Sequence, residues 1–167
     1  MATPQELSNR YLELSRKYMR QAQEELDRGD WSQASEKAWG AVAEGVKSVS
    51  ALRGWNHKSH PLLEDAITQL SMEFETPSLI GLFDSAGVLH VNYYEHRFND
   101  RVLHQRLENC RELLTQLDQI RSSPQRPYSP STREEQRILD RLTRFRPETA
   151  ADSTLDIEAL PPVEPDS

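Results

Sequence analysis

Leu7, Tyr11, Leu14, Tyr18, Ala22 and Leu26 recur every three or four positions among polar neighbours, the period of a helix that buries one face. Thr3-Pro4-Gln5-Glu6 stands before them as a capping box with proline at the first helical position, so the first backbone donors find partners. This stripe ends near Gly29. Asp30, with Gln33 three residues on, opens a second helix whose stripe is Ala34, Ala38, Ala41, Val42, Gly45, Val46, Val49 and Leu52, reaching about Arg53. Small residues on that face let a neighbouring backbone come close, which predicts a tight antiparallel hairpin of helices one and two.

Gly54 stops the second helix, and Trp55 to His60 form a polar connection before a third helix from Pro61 carrying Leu62, Leu63, Ala66, Ile67, Leu70 and Phe74. A fourth begins at Thr76-Pro77, and its stripe of Leu79, Leu82, Phe83, Ala86, Leu89, His90 and Tyr93 runs to about Tyr94. His90 therefore falls on or beside the buried face. After a polar break at His96 to Asn99, capped by Asn99 or Asp100, a fifth helix carries Leu103, Leu107, Cys110, Leu113, Leu114, Leu117 and Ile120. No segment alternates with period two, so residues 1–121 read as an all-α antiparallel bundle of about five helices. Residues 122–131, with three prolines, read as a linker with nothing to bury. Residues 132–146 regain a helical period, setting Ile138, Leu142 and Phe145 on one side and Arg133, Arg137, Arg141 and Arg144 on another. Residues 147–167 hold six acidic residues and no Lys or Arg, and read as a disordered tail.

Composition adds limits. The chain has 167 residues, 36% hydrophobic, with ten prolines against six glycines and a mean hydropathy of -0.76, as suits a core with a polar tail. No run of about 18 uncharged apolar residues occurs, and no basic stretch leads into an apolar one at the N-terminus, so the expectation is a cytoplasmic protein without membrane contact. The single cysteine, Cys110, leaves no internal disulfide and no thiolate zinc cluster. A net charge of -7 argues against a DNA coat, since Lys and Arg supply nonspecific affinity for phosphates.

Two stretches hold residues that a plain bundle does not require. From Gly29 to Ala41, Trp31, Glu36, Lys37 and Trp39 sit in the first turns of a helix otherwise lined with alanine; the plain alternative is that the tryptophans seal the hairpin and the charges are solvated. From Leu89 to Arg97, His90, Asn92, Tyr93, Tyr94 and Glu95 offer donors, acceptors and a group that titrates near neutrality; the plain alternative is a satisfied core histidine among packed phenols. If Glu36, Lys37, Trp39, His60, His90, Asn92, Tyr94 and Glu95 converge, they line one ligand pocket between helices two, three and four. His57-x2-His60 has the spacing of a metal pair but no Cys or acidic partner, so no metal and no cofactor are expected. A glycine-rich phosphate loop and a nucleophile elbow are both missing from the sequence.

Gly-Asp-x-x-Gln-Ala-Ser-Glu-Lys-x-Trp-Gly-Ala at 29–41, Ser59-His60, and Leu-His-x-Asn-Tyr-Tyr-Glu at 89–95 together resemble the PaREP family over about residues 5 to 120. That family is similar to the HEPN superfamily of helical nucleotide- and RNA-associated domains. The resemblance implies a HEPN-like bundle, often a homodimer, and no settled reaction. Many HEPN domains are metal-independent ribonucleases with an arginine and a histidine separated by four to six intervening residues. Arg97 and His104 fit that spacing, the arginine to hold the phosphate and the histidine to assist the 2′-hydroxyl, although Phe98 stands where a polar residue is usual. The reading adopted is a cytoplasmic HEPN-like binding module that engages a partner protein, a nucleotide or RNA without robust catalysis. The alternative is an endoribonuclease of toxin type, as in toxin–antitoxin pairs. A homodimer through the later helices is expected, because Leu113 and Ile120 widen an apolar face that a small bundle cannot hide. For the segment bearing Arg137, Ile138, Arg141, Leu142 and Phe145, too short to be stable alone, a partner's groove is the adopted occupant, with the chain's own acidic bundle or no ordered state as alternatives.

Overall fold

A computed structural model describes residues 1–95 and 99–144, apart from the side chains of residues 92–95. The described residues form helices and no strand: α1 (Pro4–Asp27), α2 (Trp31–Leu52), α3 (His60–Glu73), α4 (Ser78–Glu95), α5 (Asp100–Ser122) and α6 (Arg133–Thr143). The caps of α1, α2 and α5 fall where the sequence puts them, whereas Ser59, read as part of a polar connection, caps α3, which starts one residue ahead of the expected position. Thr3 and Glu6 close a capping box on α1, while Asp30, Ser59 and Asn99 accept from backbone N–H groups at the starts of α2, α3 and α5. Each bond satisfies a donor that a helix start leaves without a partner inside the helix.

Gly29, at φ 79°, turns the chain from α1 into α2 in a backbone region that other residues enter only with strain. The hairpin is antiparallel. Ser8 Oγ donates to the Ser48 carbonyl at 2.7 Å and Ser15 Oγ to that of Ala41 at 2.6 Å, so position along α1 rises as that along α2 falls. Between Ala34 and Ala51 of α2 nearly every residue is buried, because α1, α3, α4 and α5 all pack around it. Alanine, serine, glycine and valine let them approach. A Cβ on Gly45 would stand 2.5 Å from Leu114 Cδ2 of α5, so that crossing uses the missing side chain.

Four expectations need correction. Trp55 and His57, read as part of a polar connection, are only 7% and 5% exposed, because the loop folds under α6 instead of over solvent. The apolar face of α6, assigned to a partner's groove, enters the chain's own core: Ile138 and Leu142 belong to the same cluster as Trp55, Leu63 and Ile67. The Asn56 N–H donates to the Leu142 carbonyl at 2.6 Å, and Arg141 forms a two-pronged pair with Asp65 of α3. The linker, read as free, is fastened too, since Arg53 Nε donates to Gln125 Oε1 at 2.6 Å. Finally, Leu113 and Ile120, taken as surplus apolar surface, are buried inside the bundle. Phe145 and the acidic stretch 147–167 lie outside the described residues.

Candidate functional site

At one end of the bundle α2, α3 and α4 bring together four of the residues singled out by sequence. The cap at Ser59 starts α3 so that His60 is its first residue, and the His60 ring stacks on Trp39 of α2 with centroids 5.1 Å apart and planes 29° apart. Phe83 of α4 closes the group from below, 5.7 Å from both Trp39 and His60. His90 of α4 also lies near Trp39, with ring centroids 6.1 Å apart. Two turns separate Phe83 from His90 on α4, so both side chains meet the same stretch of α2.

Glu36 sets the orientation of His90. Its Oε2 lies 2.9 Å from His90 Nδ1, and the carboxylate side chain is 7% exposed while the imidazole is 44% exposed. With Nδ1–H donating to the carboxylate, the neutral ring keeps Nε2 as its acceptor nitrogen, and a protonated ring forms an ion pair instead. His60 is half exposed, with only a loose approach of 3.9 Å to Glu64. The result is a surface platform: a buried indole near two imidazoles that reach solvent, one of them anchored by a buried carboxylate.

Lys37 departs from the expected group. One position along α2 from Glu36 it turns toward α1, donating to Gln21 Oε1 at 3.3 Å and lying over the Tyr18 ring. Asn92, Tyr94 and Glu95 continue α4 as backbone, but their side chains lie outside the described residues, as does Arg97. His104 sits exposed near the start of α5, 3.2 Å from Asp100 one turn earlier. His57 and His60 serve different clusters despite their spacing, and among the described residues no group of three or more His, Cys, Asp or Glu is placed to hold a metal.

A second polar cluster escaped the sequence reading. Tyr11 Oη lies 3.0 Å from His57 Nε2, and His57 Nδ1 lies 2.9 Å from the Trp55 carbonyl, which puts a proton on Nδ1, so that in a neutral ring Nε2 accepts from the Tyr11 hydroxyl. Nearby, Lys47 Nζ pairs with Glu44 Oε1 at 3.3 Å and rides over the Tyr11 ring; Glu44 is fully buried. Burial, and then the Glu44 charge, push the Tyr18 phenol above its ordinary pKa. A signal for this was present. A helix as short of charges as α2 is buried all round, so Glu44 and Lys47, one turn apart within it, had to pair inside. Burial likewise pushes the Cys110 thiol up to about 12, against the opposing charges of Arg111 and Arg106.

Similarity to known proteins is confined to the family level. The family described as Archaeal PaREP1/PaREP8 matches residues 10–114, which span α1 to most of α5 and contain all four residues of the platform. No curated protein and no solved structure matches the chain.

Proposed function

The chain belongs to the archaeal PaREP1/PaREP8 family, and on that premise we propose that it is a HEPN-like binding module that holds a nucleotide or an RNA base on the Trp39, His60 and His90 platform, without robust catalysis. The observation that carries this reading is the stack itself. Packing alone does not call for two partly exposed imidazoles against one buried indole, with a buried carboxylate spent on orienting one of them. Aromatic faces accept any base by stacking, and half-exposed imidazoles add donors and acceptors for its edge or its phosphate.

The module acts as a homodimer in this proposal. The support is on α4, where Ile80, Val88 and Val91 form an outward stripe 39–43% exposed, and on α2, where Trp31 is 41% exposed. A cytoplasmic setting belongs to the proposal as well; the structure contributes only that no helix among the described residues is long and apolar enough to cross a membrane.

The test is a titration with the four 5′-ribonucleotides and short oligoribonucleotides, followed by the NMR signals of the His60 and His90 rings. Binding should move both, and His60→Ala should weaken it about tenfold, the loss of one stacking partner being worth about 1–3 kcal/mol. Ring signals that stay fixed at millimolar ligand would remove the proposal. Cleavage of RNA in EDTA that His104→Ala abolishes would transfer the function to the ribonuclease reading.

A further inference from the structure

On the outer face of α1, Arg10, Arg16, Lys17 and Arg20 stand exposed around Leu14, with Glu13 the one acid among them. They lack the carboxylate partners that several other arginines have, as the exposed Arg101, Arg126, Arg133, Arg137 and Arg144 also do among the described residues. Arg28, Arg53, Arg111, Arg121 and Arg141 each have a carboxylate within 3.0 Å, whereas none of these four forms an ion pair or a hydrogen bond among the described residues. In a chain of net charge -7, a local excess of three positive charges along three turns makes a surface complementary to an anion.

The place where the described chain ends supplies the occupant. Arg144 lines a recess of about 370 Å³ together with Met1, Pro4 and Leu7 of the N-terminal end and Leu142 of α6. Leu7, Arg10, Leu14 and Lys17 follow one another at three- and four-residue steps, so they share one face of α1, and the basic row starts one turn beyond the recess. From Leu7 to Arg20 is about 20 Å along the axis at 1.5 Å per residue. Twenty-three residues follow Arg144, and a chain of that length has a typical span of about 25 Å. Beyond Arg146 it carries Glu148, Asp152, Asp156, Glu158, Glu164 and Asp166 with no Lys or Arg.

We propose that this acidic stretch, residues 147–167, is the occupant of the basic row on α1, and that it shields the row from other polyanions. Tethering is what makes weak pairing sufficient. Exposed ion pairs are each worth at most about 1 kcal/mol, but a short tether presents the acids at millimolar effective concentration, so a few pairs hold the stretch in place. Its grip is sensitive to salt, because exposed charges are screened over about 8 Å at physiological ionic strength. A phosphate backbone is the other polyanion that the row fits, and it enters here as a competitor. The inference rests on α1 and does not depend on the platform of Trp39, His60 and His90.

The experiment uses the full chain. Ser153→Cys places a nitroxide amid the acids, and Cys110, fully buried, stays unlabelled. In 50 mM salt the label should broaden the amide signals of residues 10–20 on α1. The broadening should vanish in 0.5 M NaCl, and also in a variant with Arg10, Arg16, Lys17 and Arg20 all changed to Gln. These four side chains are exposed, so the bundle should keep its spectrum, and the salt arm needs no variant at all. A second readout is affinity for a heparin-derived oligosaccharide, which presents sulfates and no bases. If the stretch covers the row about nine-tenths of the time, changing its six acids to Asn or Gln raises that affinity about tenfold, and the fourfold Gln variant removes the gain. Broadening that is absent in low salt, that falls on another face, or that survives the fourfold change overturns the inference. An unchanged oligosaccharide affinity after neutralising the acids does so as well.

Discussion

Leu142→Ala tests how far α6 belongs to the bundle. Leu142 is fully buried, Ile138 is 5% exposed, and both enter the core cluster with α3 and Trp55. Deleting a buried leucine side chain to alanine costs about 2–5 kcal/mol, the transfer of the removed groups plus a residual cavity. For a domain of this size that is roughly 5–15 °C in Tm. An upper limit comes from α6 itself. Its eleven residues are too few to be stable alone despite the Thr132 and Glu135 capping box, so once the loss approaches the docking free energy the helix detaches and the cost stops growing. Burying Ile138 and Leu142 supplies about 3–6 kcal/mol in all, and the exposed Arg141–Asp65 pair at most about 1 kcal/mol. Adding Ile138→Ala to Leu142→Ala should therefore cost clearly less than Ile138→Ala costs in the parent chain. Urea unfolding followed by circular dichroism gives the stabilities, and hydrogen exchange locates the opening. We expect α6 amides to lose protection while those of α1 and α2 keep theirs, with tryptophan emission shifting red as Trp55 is uncovered. A Leu142→Ala variant with unchanged urea midpoint and α6 protection, or strictly additive losses, would refute the reasoning.

Three further outcomes follow from buried charge. Lys47→Met leaves Glu44 charged and buried and should cost about 3–5 kcal/mol in urea unfolding, whereas Lys47→Met with Glu44→Gln should recover much of that loss. Burial is the main reason that the Glu73 carboxyl sits above its ordinary pKa, with the Arg53 guanidinium, 2.5 Å away, pulling the other way. Arg53→Met should thus destabilise the fold at neutral pH, and stability should rise as pH falls through the raised Glu73 pKa, since protonation removes the buried charge; a loss that does not vary with pH would contradict this. Cys110 is held neutral, so its contribution is complete below the unfolded value near 9.0 and is lost as pH rises toward about 12; a thiol reagent at pH 8 should label it only as fast as the protein unfolds.

Helix positions were legible in the sequence because they depend on neighbours. A cap is a bond between residues three apart, and an apolar stripe is a repeat of three or four, so Thr3, Asp30, Asn99 and Thr132 announce helix starts before any packing is known. The platform was legible in part for the same reason. Glu36 and Trp39 share a face of α2, as Phe83 and His90 share one of α4, but only the crossing of the two helices decided that Glu36 meets His90 while Lys37 turns to Gln21. Burial of His57 was not legible. A short polar loop reads as solvated unless something covers it, and what covers it is α6, some 80 residues further on. The destination of α6 was open for the same reason: an amphipathic face specifies that it needs a groove and is silent about whose groove it is. That choice belongs to the tertiary structure, where α3 and the α2–α3 loop leave an apolar cleft with Asp65 at its edge for Arg141 and the Asn56 N–H for the carbonyl of Leu142.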